Sequence, residues 1–494
     1  MDSTTPPPDG SGQRRLTGSE IRRLAGAGVA AVGLRQLAIR GIGLLGTVVL
    51  AHLLLPRDIG AVAFGTALVT VFGFVGDSGI GAGLIRGPHA PVRDDLRSFL
   101  GLQLLVTSIL AAITIAVGWP FGVVGQVTAL MVISLPLAAF RTPGVILYER
   151  NLRYQPLVVI ELIETVVFYA WAIGTVLAGW GVWGLASAAP VRAAVGAVIM
   201  NLRSPAGFLL PGLAWSRIRG LLRFGLQYQA VNAVALGRDQ GLNLGTAAVA
   251  GIAVLGLWSI AYRILQVPFL LFDSVWRVSF PAMARLLAEK EDVAPIMERG
   301  LGLAALVTGA LLAALVGSTP ALVPAVFGPQ WTPAASVIPW SALGLMFGGP
   351  VSVATSGYLY AIGDSGSVLF SAVVQTLAWF VVTFALLHVL GVQALGIGWM
   401  VASVVEAVVL ASRTRRHLRL HFLRQLALPA ALAMLAAALG WILADRIGAS
   451  LLSAVAAAAL AAAVYGVGMV VFRRSQVVDA AALGRRSLSS LGHA

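Results

Sequence analysis

Seven arginines, Arg35, Arg40, Arg141, Arg192, Arg238, Arg263 and Arg277, lie inside segments that are otherwise apolar. An arginine at the centre of a bilayer costs about 2.5–3.5 kcal/mol on insertion scales, so such residues should face a protein interior or a water-filled path. All seven facing lipid would cost on the order of 20 kcal/mol by the same scale. So many buried cations point to a cavity built for an anion. Two of them belong to the clearest polar stripe, Arg263, Gln266, Asp273 and Arg277, whose spacings of 3, 7 and 4 place all four on one helix face. Asp273 and Arg277 are spaced to pair at i,i+4. A second stripe, Gln229, Asn232, Asp239 and Asn243, repeats those spacings with Arg238 beside it. Gln36 and Arg40 share a face with Arg35 on its flank, and Asp77 brings a carboxylate to the next apolar segment. Structural ion pairs or polar glue between helices would explain any one of these residues. For the set together, binding is the better account.

Glu161 and Glu164 are three residues apart and share a helix face. Paired carboxylates in a membrane can exchange protons or bind Na⁺, because like charges in proximity raise one pKa. Pairing with Arg141 or Arg192 is an equally good reading, and Arg141, close to a segment end, could also snorkel. Glu406 and His388 stand alone, which favours structural roles for both. Enzyme chemistry finds little to work with. The chain has no cysteine, no D-x-D, no H-E-x-x-H and no G-x-x-x-x-G-K, and no soluble stretch long enough to hold an active site. A non-enzyme without cofactor or metal is expected.

The elements that must position these residues are membrane helices. The chain is 58% hydrophobic and 11% charged, with a mean hydropathy of +0.89, which no soluble domain of 494 residues tolerates. Its formal charge of +14 reflects arginines in short loops beside apolar runs rather than affinity for nucleic acid. About 14 transmembrane helices are expected: 25–55, 59–85, 96–118, 123–148, 156–179, 182–202, 221–247, 252–283, 300–326, 334–362, 367–390, 392–412, 425–445 and 451–472. Alternate loops carry the arginines (Arg86, Arg93, Arg97; Arg150, Arg153; Arg203, Arg217, Arg219, Arg223; Arg285, Arg299; Arg413, Arg415, Arg416, Arg419, Arg424), while the intervening WPFG, GWG, GTAAVAG, FGPQWTP and GVQ carry no charge. The positive-inside rule then puts both termini in the cytoplasm. The plan is all-α and polytopic: a disordered cytoplasmic tail at 1–24, an N-lobe of six helices at 25–202, a linker at 203–220 and a C-lobe of six at 221–412. A basic loop at 413–424, a helix pair at 425–472 and a tail at 473–494 follow. The lobes align at an offset of 196 residues, where Gly60, Val71, Asp77 and Ser78 match Gly256, Val267, Asp273 and Ser274. Six helices per unit is even, so the repeat is parallel and a site between the halves is expected.

The run LLRFGLQYQAVNAVALGRDQ, the G-x-W-S-x-A-x-R segment at Gly256–Arg263, Pro268 and Phe280-Pro281 resemble helices 7 and 8 of the bacterial polysaccharide transporter, or oligosaccharide flippase, family. LLLPRDIGAVAFGTAL, GDSGIGAGLIR and VFGPQWTPAASVIPW fit as well, so the resemblance spans roughly residues 22–412. It is nearest the colanic-acid and teichuronic-acid exporter branch of the superfamily that also holds lipid II flippases and multidrug extruders. Trp258 departs from the tyrosine of many relatives. The resemblance implies a flippase of the bacterial cytoplasmic membrane that passes a polyprenyl-linked oligosaccharide through a central cavity by alternating access. It assigns Arg35, Arg40, Arg238, Arg263 and Arg277 to the pyrophosphate, for which a planar guanidinium is suited. Asp77, Asp239 and Asp273 would orient them, with Gln266 and Asn232 beside them. Partners expected are the lipid-linked glycan, membrane lipid, glycosyltransferases or a polymerase of the same pathway, and H⁺ or Na⁺. Two alternatives stand: a multidrug-type cation-coupled antiporter, which would prefer carboxylates and aromatics in its cavity, and a scaffold recruiting glycan-assembly enzymes through its arginine-rich loops.

Overall fold

Glycine and proline decide where the apolar runs break into separate helices. The computed structural model describes residues 38–87, 90–289 and 291–491, and every regular element among them is helical. α1 (Ala38–Leu53) and α2 (Pro56–Asp77) are followed by the short α3 (Ile80–Arg86). Between α2 and α3, Ser78 and Gly79 adopt φ of 49° and 68°. Left-handed residues end an α-helix, and glycine takes that conformation without a Cβ clash. Gly79 is required for a second reason, since a Cβ there would overlap the backbone of Gly225. The second expected span is therefore two helices meeting at Asp77-Ser78-Gly79.

α4 (Arg93–Gly118) leads through a 3₁₀ turn to α5 (Gly122–Val132), α6 (Ser134–Ala139) and α7 (Thr142–Arg150). One span was expected at 123–148; three helices occupy it. Pro136 and Pro143 each sit in the first turn after a break, where the missing N–H costs no intrahelical bond. α8 (Tyr154–Thr175) runs into a π turn at Val176–Trp180, and α9 (Val182–Arg203) follows. The segment 204–214 is not helical and is fastened to the start of α4. Arg97 Nε donates to the Leu210 carbonyl at 3.1 Å, Gly212 N to the Arg97 carbonyl at 2.9 Å, and Arg217 Nη1 to Asp95 Oδ1 at 2.9 Å. Arg150 Nη1 donates to the carbonyls of Leu84, Ile85 and Gly87, which closes the C-terminal end of α3. Loop arginines read from the sequence as topological signals are thus also structural fasteners.

α10 (Trp215–Ala250) and α11 (Ile252–Ala288) are long, and α12 (Val293–Phe327), α13 (Thr332–Ala335), α14 (Ile338–Ala361), α15 (Ser365–Leu390) and α16 (Gln393–Thr414) succeed them. The chain ends in α17 (Phe422–Ile447) and α18 (Leu451–Leu491), the latter kinked at Arg473. Eleven helices among the described residues are long and apolar enough to cross a membrane, so this is a multi-pass membrane protein. One of the eleven, Arg93–Ala139, takes in most of two expected spans. Trp215–Ala250, which holds the expected seventh, is not among the eleven, because its polar stripe lowers its hydropathy.

Two compact units emerge. One holds the described residues up to Leu53 together with Gly65–Gln240; the other holds Leu54–Phe64 together with the described residues from Gly241 onward. In the first, Ile80, Phe99, Leu100, Ile146 and Ile218 form a buried cluster. In the second, Trp258, Trp379 and Trp399 stack edge to face, with ring centroids 6.2 Å and 4.6 Å apart. α17 and α18 pack on α12 through small residues, where Gly317, Gly440 and Ala461 leave no room for a Cβ on either glycine. Tyr465 Oη donates across this packing to the Leu306 carbonyl at 3.0 Å. At the start of α2 and α11 the backbones touch. A Cβ on Gly60 would overlap the Ile252 carbonyl, and one on Gly256 would overlap the Pro56 carbonyl.

Candidate functional site

In the first unit, Asp77 closes its own helix. Its Oδ2 accepts from the Gly79 amide at 3.3 Å and from Gln229 Nε2 at 3.3 Å, and Gln229 also donates to the Phe74 carbonyl at 3.0 Å. A carboxylate at a helix C-terminus faces the negative end of the dipole, so these donors are what hold it there. Gln229 is buried and begins the polar stripe of α10; Asn232, one turn on, is exposed. Further along, Arg238 Nε donates to Asp239 Oδ1 at 2.8 Å, with both side chains half-buried. Neighbouring residues on a helix normally diverge, so a pair at i,i+1 is an uncommon arrangement. It leaves the remaining N–H groups of the guanidinium to other acceptors. Arg40 is half-buried on α1.

A second charged group sits where α6 breaks into α7. Arg141, at that break, directs Nη1 to both oxygens of Glu164, at 2.9 Å and 2.7 Å, and Nη2 to Glu161 at 3.3 Å. Arg192 Nε lies 3.8 Å from the same Glu164 carboxylate, whose side chain is 2% exposed. Gly196 makes this possible, because a Cβ there would occupy the position of the Glu164 carboxylate. Two arginines and two glutamates form a neutral cluster inside the membrane, with Glu164 at its centre. The sequence put the glutamates on one face and named both arginines as possible partners. What it could not supply was the break that swings Arg141 onto them.

In the second unit, Arg263 and Gln266 are exposed on α11. The side chains of Asp273 and Arg277, and Arg35 entirely, lie outside the described residues. One polar contact has no counterpart in the sequence reading: Gln375 Nε2 on α15 donates to Glu406 Oε2 on α16 at 2.7 Å. Glutamine on an apolar helix was the available signal. Among the described residues no group of histidine, aspartate and glutamate side chains could hold a metal ion.

The structure is similar to a lipid II flippase, MurJ, in an inward closed conformation, at 12% identity with a TM-score of 0.71, covering 90% of this chain and 99% of that one. It is also similar to an inward-facing multidrug resistance MATE family transporter of the MOP superfamily, at 15% identity with a TM-score of 0.53, covering 82% and 98%. At these identities the likeness is one of fold. No curated protein matches the chain. The sequence profile described as polysaccharide biosynthesis protein matches residues 49–336, more than half of the chain. By that match, the chain belongs to the polysaccharide biosynthesis protein family.

Proposed function

We propose that this protein is a flippase that carries a polyprenyl-linked oligosaccharide across the bacterial cytoplasmic membrane, with both termini in the cytoplasm. The observation that carries the reading is the polar stripe of α10. A helix of 36 residues in a multi-pass protein of a polysaccharide family keeps Gln229, Asn232, Arg238, Asp239 and Asn243 along its length. Membrane helices retain such residues where they line a path rather than lipid. Arg35, Arg40, Arg238, Arg263 and Arg277 would take the pyrophosphate, with Asp77, Asp239 and Asp273 orienting them and Asn232 and Gln266 meeting the sugars. The two six-helix halves would alternate around this path, with the lipid tail left in the bilayer.

Support over a cation-coupled drug antiporter comes from the described carboxylates. Glu164 is held by Arg141 and Arg192, and Asp239 by Arg238, so both of these carboxylates already have a cationic partner. Coupling to H⁺ or Na⁺ and association with glycosyltransferases belong to the same proposal. The test is flipping in proteoliposomes of a fluorescent polyprenyl pyrophosphate-linked oligosaccharide, read by its exposure to an impermeant quencher. Arg263→Ala and Arg277→Ala should each lower flipping at least tenfold at unchanged reconstitution. Arg277→Lys should recover part of it, because a point charge replaces a fork. Normal flipping by both alanine variants would remove these arginines from the path.

A further inference from the structure

The turn between α16 and α17 gathers positive charge in its own sequence. Residues 413–424 carry Arg413, Arg415, Arg416, Arg419 and Arg424 and no aspartate or glutamate. Both flanking helices are long and apolar enough to cross a membrane, so the turn lies at a membrane surface. Arg415, Arg419 and Arg424, with Leu420, His421, Phe422 and Leu423, line a concavity of 510 Å³. The three arginines are exposed, and none forms a salt bridge among the described residues. Two carboxylates from elsewhere in the chain approach the turn. Glu298 is taken up by His421, accepting from its backbone amide at 2.9 Å and lying 2.9 Å from Nδ1, and Asp364, near Arg413, accepts from the Ser367 amide.

Three further features suit the concavity to an anion with an apolar body. It is walled by the first turn of α17, whose N-cap His421 contributes no side-chain cap. Amides at such a helix start carry partial positive charge toward an anion. Arg473, at the kink of α18, donates to the Arg424 carbonyl and stiffens that turn. Leu423, 72% exposed, offers an apolar side chain on the same wall. A soluble anion gains nothing from an exposed leucine, whereas a lipid has a use for both.

We propose that this concavity binds the phosphate of an anionic phospholipid headgroup, with Arg415, Arg419 and Arg424 as its cationic wall and Leu423 against the upper acyl chain. The site shares no residue with the proposed glycan path and does not depend on it. Full-length protein in mild detergent is titrated with dioleoyl phosphatidylglycerol or dioleoyl phosphatidylcholine, and bound lipid is counted by native mass spectrometry. Phosphatidylglycerol should be retained where phosphatidylcholine is not, and millimolar inorganic phosphate should not displace it. Each of Arg415→Gln, Arg419→Gln and Arg424→Gln should weaken retention about fivefold, and the three together about a hundredfold. The corresponding lysine triple should keep the preference. Equal retention of the two lipids, or unchanged retention in the folded single glutamine variants, would overturn the proposal. Displacement by inorganic phosphate would overturn it too, and would make this a site for a soluble phosphate.

Discussion

A carboxylate gripped by two guanidiniums in a membrane interior is stable only while its partners remain. Glu164 meets Arg141 through two short contacts and Arg192 at 3.8 Å. Glu164→Gln would leave two arginines facing Glu161 alone. Removing one partner of a buried pair costs about 3–5 kcal/mol, so the variant should melt several degrees lower in detergent. Arg141→Gln in the same chain should restore part of the loss, since it removes the charge left uncompensated. An unchanged melting temperature in Glu164→Gln would mean that water, not Arg141, satisfies this carboxylate. The cluster was half-legible in the sequence. The i,i+3 spacing of Glu161 and Glu164 placed them together, but Arg141 is distant in sequence and reaches them only because the chain breaks before Pro143. The helical spacing of Gln229, Asn232, Asp239 and Asn243 was legible, because one continuous helix carries them, but their burial was not, since Gln229 is buried and Asn232 exposed.

Helix ends are where local chemistry, rather than burial, sets the structure. Asp364 lies between α14 and α15, and its Oδ1 accepts from the Ser367 amide at 3.1 Å. Hydrogen bonds from Ser367 hold its carboxyl below the usual carboxylate value. A lowered folded-state pKa contributes stability that is present above the unfolded value and is lost as pH falls through the folded one. Asp364→Ala should therefore lower the melting temperature at neutral pH. The difference from wild type should vanish as pH drops below the ordinary aspartate value of 3.8. A difference that persisted in acid would assign the effect to packing instead. Which apolar runs become helices was readable from hydropathy; where they break was not. Hydropathy joins residues across Ser78-Gly79 and across Ile133, because the residues at those breaks are as apolar or as small as their neighbours.

Orientation is a property of the whole chain, and the absence of cysteine makes it directly measurable. With both termini inside, a cysteine at Ser216 should be protected from an impermeant maleimide added to intact cells. One at Gly328 should react. The reverse pattern would invert the proposed topology and move the arginine-rich loops to the opposite face. The number of crossings is less directly legible, because the polar residues of α10 make it a helix that hydropathy alone would not place in a membrane.

The contact between the starts of α2 and α11 has a symmetry of its own. Gly60 meets Ile252 and Gly256 meets Pro56. Adding the repeat offset of 196 to 56 and 60 gives 252 and 256, so each glycine meets the counterpart of the residue its twin meets. Residue i touching j′ while i′ touches j is the pattern of an isologous two-fold interface, here written within one polypeptide. The two glycines share one constraint, because each is opposed by the other helix's main chain, which no change of neighbouring side chain can move aside.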